Sequence, residues 1–297
     1  MWWIWLRRLA YGAGGLAGVG LGLLYALQEK MLYVPVIPGG ERGYEFTPNQ
    51  FQINHEDMYL HAEDGTKLHA WLLWDKHWTK ESLKTRQTIL FFQANAGNIS
   101  HRLHYFKEMI GKLGCVVVAL SYRGYGWSEG SPTEAGLKLD SEAILRELEA
   151  SPTVNSKDLI VFGRSLGGAV AIHLTAQHPD KVKALVIENA FTSVEEMVPQ
   201  VLPLLGYLIG RGKIGNFLVR NKWHNRKEIR KLKNMPILFF SSEMDEMVPQ
   251  EQMLELRKMC GSSDCEFVSM RAHHMDAYFE CPQQYWSAFQ ELVGKCD

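Results

Sequence analysis

The stretch Leu159-Ile160-Val161-Phe162-Gly163-Arg164-Ser165-Leu166-Gly167-Gly168 constrains this chain more than any other. It reads as a short apolar strand running directly into Gly-x-Ser-x-Gly, with a helical pattern from Ala169 to Gln177 behind it. Strand, tight turn and helix in that order hold a serine hydroxyl out above a sheet. Gly163 and Gly167 flank the serine because strand and helix approach closely there and a β-carbon would clash. The backbone N–H of Leu166 lies in the first turn of the new helix, where free donors can meet developing negative charge. A Gly-rich βα turn or a phosphate loop looks similar, and the bare pentapeptide is a weak signal. The flanking strand and helix favour a nucleophile at Ser165.

A chain of 297 residues is enough for one large α/β domain or two small ones. Its 32 basic residues nearly balance 33 acidic ones, so no nucleic-acid partner is indicated. Cys115 opens an apolar strand and reads as a buried thiol. Cys260, Cys265, Cys281 and Cys296 fall near the C-terminus, where a disulfide is an option only in an oxidising compartment.

Residues 1–30 differ from the rest. Leu9 to Leu27 carries no charge, and as a helix it would span roughly 28 Å, close to the thickness of bilayer hydrocarbon. Arg7 and Arg8 precede it, and Trp2, Trp3 and Trp5 suit the headgroup level. The expectation is one transmembrane helix. Its rivals are a cleaved signal peptide, for which Leu24-Tyr25-Ala26-Leu27-Gln28 is a poor cleavage site, and a merely apolar arm, since glycines dilute helix propensity. The two arginines keep the N-terminal end cytosolic, giving a single-pass type II protein of the endoplasmic reticulum or another endomembrane. Gly14, Gly18 and Gly22 recur every fourth residue, which suits close helix–helix contact.

Residues 31–56, turn-rich from Pro35 to Gly43, read as a linker, and 57–297 as the folded domain. Two extended runs around Asp64-Gly65 predict a β-hairpin. Continuous apolar strands then alternate with helical patterns, which places the chain in the α/β class with a mostly parallel sheet covered on both faces. Active sites in such folds gather at the carboxyl ends of the strands.

The chemistry therefore lies in the residues just beyond each strand. After Ile237 to Phe240 comes Ser241-Ser242-Glu243-Met244-Asp245-Glu246, and after Glu266 to Met270 comes Arg271-Ala272-His273-His274-Met275-Asp276. The order serine, acid, histidine is that of an α/β-hydrolase. A serine needs an imidazole base, and the base needs a carboxylate to fix its tautomer. Asp245 is better placed than Glu243 or Glu246; the residues alone do not separate His273 from His274. A metal site at His273-His274-x-Asp276 lacks a helical His-x-x-x-His partner, so neither metal nor organic cofactor is expected. The loop Gln93 to Asn98 after Thr88 to Phe92 would supply a second oxyanion donor, the N–H of Asn95.

The segments Asn95 to Leu103, Tyr122 to Gly130, Leu139 to Ala143, Phe162 to His173, Glu188 to Phe191 and Asp245 to Pro249 resemble membrane-anchored serine hydrolases of the α/β-hydrolase superfamily. The likeness spans nearly all of the chain after about Leu60. It implies a type II membrane enzyme with the triad Ser165, Asp245 and His274. The family's His-Asn-Asp segment falls on His274-Met275-Asp276, and His273 takes the preceding Thr position. The family's His-Gly before the oxyanion Asn is Gln93-Ala94 here, and Ala94 lacks glycine's freedom at positive φ, so a distorted oxyanion loop is expected. A related branch that removes palmitate from proteins carries an N-terminal cysteine cluster, whereas this chain has no cysteine before Cys115.

Phe191 to Lys233 follows the sixth strand, where this fold inserts a short cap. Its apolar run, including Leu204 and Leu205, suits a cap helix packing on the core better than an acyl pocket. The cations Arg226, Lys227, Arg230, Lys231 and Lys233 suit a solvated face better than anionic headgroups. The sequence thus describes a membrane-anchored hydrolase that cleaves an ester or thioester through an acyl-serine. Its partners would be membrane lipid and a small or lipid-like acyl substrate or an acylated protein. The rival is a hydrolase-fold scaffold protein without turnover.

Overall fold

The computed structural model describes residues 2–296, apart from the side-chain placements of Leu9, Ala10, Ala13, Gly14, Leu16 and Ala17 within the first helix. Apolar runs such as Thr88-Ile89-Leu90-Phe91-Phe92 cannot leave either face in water, and they form the centre of one eight-stranded sheet in the order β1-β2-β4-β3-β5-β6-β7-β8. β1 (Ile53–His61) and β2 (Lys67–Asp75) are the expected antiparallel hairpin, with Leu60 opposite Leu68 and Gly65 taking φ 82 at the turn. β2 runs antiparallel to β4 (Val116–Ser121). From β4 onward β3 (Thr88–Phe92), β5 (Leu159–Arg164), β6 (Ala184–Glu188), β7 (Ile237–Ser242) and β8 (Cys265–Met270) are parallel.

Side chains alternate between two cores, as the two-residue period of a strand requires. Leu90, Phe92, Val161 and Leu185 face α3 (Glu134–Ala150) and α4 (Leu166–Gln177), while Ile89, Phe91, Ile160 and Val186 face α2 (Leu103–Leu113) and α9 (Pro282–Cys296). The chain leaves β3 for β4 on one side and returns to β5 on the other. That reversal opens a crevice at the carboxyl ends of β3 and β5, where Phe92 pairs with Gly163.

The first helix, α1 (Trp2–Leu32), is one continuous element. Among the described residues no helix is long and apolar enough to cross a membrane, and the expected span Leu9–Leu27 includes positions whose side chains lie outside the described ones. Leu21, Leu24, Gln28 and Leu32, spaced as one helical stripe, are partly buried against the cap. The linker is not loose. Tyr33 is buried, and Val34 pairs with Ala96 in parallel register. The domain also begins earlier than residue 57: Ile53 is buried and already paired with Asp75.

The cap lies between β6 and β7 and holds α5 (Val194–Val201), short turns and α6 (Asn225–Glu228). Its cations divide. Arg226 does not lie on a solvated face: it is clamped by Glu196 and Glu255, with Nη2 2.6 Å from Glu196 Oε2. Lys231, by contrast, pairs on the surface with Glu228. The remaining helices are α7 (Gln250–Met259) and α8 (Ala277–Glu280). Cys115, Cys260, Cys265 and Cys281 are free thiols, with the Cys260 and Cys265 sulfurs 3.2 Å apart.

Candidate active site

Ser165 occupies the turn between β5 and α4 with φ 54 and ψ −117. A non-glycine residue there is strained by about 1–3 kcal/mol, and the surroundings hold it. The Ser165 N–H donates to Glu188 O at 2.8 Å, and Gly168 N–H donates to Ser165 O at 2.9 Å. A β-carbon on Gly163 would lie 2.2 Å from Gly167 O, and one on Gly167 would lie 2.0 Å from Phe92 O. Both glycines are therefore required by close approach of strand and helix. Ser165 keeps 7% of its surface.

Asp245 follows β7 in a tight turn, its Oδ1 accepting from the N–H groups of Met247 at 2.8 Å and Val248 at 2.7 Å. Those two bonds leave Oδ2 to accept from His274 Nδ1 at 2.6 Å, with both side chains almost wholly buried. A carboxylate oxygen accepts, so Nδ1 is the donor in that bond and Nε2 is the ring nitrogen left for another group. His274 N–H donates to Glu246 Oε2 at 3.2 Å. The neighbouring His273 turns outward and is tied to Glu280 at 2.9 Å, which raises its affinity for a proton. The fold thus brings Asp245 and His274 together and sends His273 to the surface. Among the described residues no hydrogen bond joins the Ser165 hydroxyl to His274. Nor do His, Cys, Asp and Glu side chains assemble a cluster able to hold a metal ion among them.

Two backbone donors lie beside this crevice. Neither Leu166 N–H, at the start of α4, nor Asn95 N–H, after β3, meets a protein acceptor among the described residues. The loop bearing Asn95 is pinned from several sides. Its carbonyl accepts from Val34 N–H at 3.0 Å and from the Tyr125 hydroxyl at 2.8 Å, and its Nδ2 donates to Leu32 O at 3.2 Å. Tyr122 donates to Gln93 O at 2.9 Å, and Arg102 to Ala96 O at 2.7 Å. The backbone argument for a distorted loop does not hold. Ala94 has no left-handed backbone; Gly97, with φ 72, takes that turn instead.

Three groups that sequence reasoning gave no role support the site. Asn189, with φ 47, donates through Nδ2 to Ser242 Oγ at 2.9 Å and to His274 O at 2.8 Å, tying the histidine loop to β6 and β7. Its signal in the sequence is only that asparagine tolerates left-handed backbone. Arg164 and Glu188 form a buried ion pair directly beneath Ser165, with Nη2 2.9 Å from Oε2. Burial opposes the guanidinium charge, yet Glu188, Tyr105 and Tyr285 hold its pKa above the ordinary arginine value.

A family profile described as the α/β hydrolase fold matches residues 87–217. The chain is 42% identical to the α/β hydrolase domain-containing protein WAV2 of Arabidopsis thaliana, over 98% of this chain and 95% of that protein. It is 30% identical to the uncharacterized membrane protein YNL320W of Saccharomyces cerevisiae, over 99% of this chain and 98% of that one. Among solved structures, the Pyrococcus furiosus esterase Pf2001 matches with a TM-score of 0.68 at 18% identity, covering 89% of this chain and 98% of its own. At that identity the likeness concerns the fold alone.

Proposed function

The chain belongs to the α/β-hydrolase domain-containing family, and on that premise we propose that it is a serine hydrolase cleaving an ester or thioester through an acyl-serine intermediate. The observation that carries the reading is the 2.6 Å Asp245–His274 bond at the same sheet edge as the strained Ser165 turn. In the proposed reaction His274 Nε2 removes the Ser165 proton as Oγ attacks the carbonyl carbon. Asp245 holds the ring in the productive tautomer and stabilises the imidazolium. The N–H groups of Leu166 and Asn95 meet the oxyanion. His274 then delivers its proton to the leaving alcohol or thiol, and water repeats the sequence on the acyl-serine. Within the family, the motifs resemble those of α/β-hydrolase domain-containing protein 13, and the proposed substrate class is a lipid-like acyl group or an acylated protein.

A fluorophosphonate probe tests this directly. It should label the full chain, and Ser165→Ala should lose the label while keeping the parent's melting temperature. Equal labelling of both proteins would refute the assignment.

The reading includes attachment to a membrane through α1 in type II orientation. Its support is the charge-free run after Arg7 and Arg8, together with the description of one relative as a membrane protein. In sealed microsomes the catalytic domain should resist protease until detergent is added, and the chain should stay in the pellet after carbonate. Complete digestion without detergent would overturn the orientation, and carbonate release the attachment.

A further inference from the structure

We propose that a cavity between α1 and the cap holds the alkyl chain of a bilayer lipid, so that α1 forms half of a lipid site. Leu21, Leu24 and Leu32 of α1 face Leu202, Leu205 and Leu218 of the cap across a space of about 180 Å³. The polar side chains in its walls are Tyr25 and Gln28. Gln28 is already committed: Nε2 donates to Leu218 O at 2.9 Å and Oε1 accepts from Arg220 N–H at 2.7 Å. A buried water needs about two to four polar partners, so this space favours hydrocarbon. A cavity of roughly 150 Å³ accepts benzene in other proteins, which sets the scale here at a chain segment on the order of six to eight carbons.

The cap residues that flank the lining positions are bare. Leu204, Ile214 and Phe217 are 83%, 87% and 74% exposed, and Leu23 and Leu27 of α1 are exposed as well. Large apolar side chains at such exposure mark a contact surface. The bilayer is the occupant that α1 itself brings, since its first turns carry exposed Trp2, Trp3 and Trp5 next to Arg7 and Arg8. One wall of the cavity is linked to the loop after β3: the carbonyl of Leu32 accepts from Asn95 Nδ2 at 3.2 Å. A chain in the cavity therefore bears on the last turn of α1 and, through one hydrogen bond, on the loop after β3.

The inference rests on membrane attachment through α1 and is independent of Ser165 chemistry. Its test uses the full-length Ser165→Ala chain in phosphatidylcholine nanodiscs containing a phospholipid with a diazirine in mid-chain. After irradiation, adducts should appear on cap peptides spanning 198–205 and 218–219 as well as on α1. Leu205→Trp, which fills the space, should cut the cap adducts by roughly tenfold relative to those on α1, with an unchanged melting temperature. Leu202→Phe serves if Leu205→Trp disturbs folding. Adducts confined to α1 in a protein retained in the disc would overturn the lipid site alone, as would equal cap adducts in the filled variant. A protein that leaves the disc without adducts would overturn membrane attachment and the lipid site together.

Discussion

Replacing Glu188 with Gln isolates the charge that braces the Ser165 turn. Glutamine keeps the volume, and its amide oxygen can still accept the Tyr285 hydroxyl, which donates to Glu188 Oε2 at 2.9 Å. What disappears is the partner of Arg164, a guanidinium with about 1% of its surface exposed. The ion pair is close but not aligned as a hydrogen bond, because Arg164 Nη2 and Nε lack one. Removing one member of a buried pair costs about 3–5 kcal/mol, since the remaining charge stays buried without compensation. The Tyr105 ring, 4.3 Å from the guanidinium, offsets part of that through a cation–π contact worth up to roughly 2 kcal/mol. The expected loss for Glu188→Gln is therefore about 3 kcal/mol, or roughly 6–12 °C in melting temperature for a domain of this size. The double variant Arg164→Met/Glu188→Leu removes both charges and should regain most of it.

Equilibrium urea denaturation of parent, single and double variants measures both quantities. A loss below about 1 kcal/mol for Glu188→Gln would refute the reasoning, as would a double variant less stable than the single one.

Further outcomes are expected. His274→Ala should lower kcat/KM by several orders of magnitude and His273→Ala by less than about tenfold; the reverse pattern in steady-state assays would move the base to His273. Gly167→Ala should cost at least about 2 kcal/mol and abolish probe labelling, because the new carbon meets Phe92 O at 2.0 Å and backbone cannot swing aside. Gly111→Ala in α2, with nothing within 4 Å, should gain up to about 1 kcal/mol, and equal thermal shifts for the two would be inconsistent with this packing. His173, on α4, is held down to about 4 by burial first and then by Lys138. Its neutral form belongs to the fold, so its contribution is full above pH 6.5 and is lost as pH falls from there toward 4. Discounted for partial exposure, the loss is about 1–2 kcal/mol, and His173→Leu should flatten melting temperature against pH across that window.

What the sequence makes legible is whatever obeys a strand's rules. Ser165, Asp245 and His274 each come after an apolar run, and a parallel sheet delivers the residues after such runs to one edge. The order of the cap is illegible for the opposite reason. Pro199, Pro203, Gly206 and Gly210 break any 3.6-residue period, so nothing in the letters separates Leu205, which lines the cavity, from Leu204, which is exposed. The loop after β3 shows a subtler failure. A motif rule assigns glycine's freedom to position 94, but the chain turns at Gly97, and buried Gln93 donates through Nε2 to Gly97 O at 3.3 Å.

The N-terminal segment is the largest discrepancy between pattern and structure. Its apolar composition describes a tether, yet its end is built into the domain mostly through backbone groups that leave no mark on side-chain periodicity. Val34 N–H and Leu32 O bind Asn95, and Gly97 N–H donates to Val34 O at 2.9 Å. The Tyr33 hydroxyl donates to Asn221 Oδ1 at 3.1 Å and accepts from Trp223 Nε1 at 3.1 Å. Removing the segment would leave the Asn95 carbonyl with only the Tyr125 hydroxyl and would open one wall of the cap cavity. The end of α1 and the loop after β3 are therefore one structural unit.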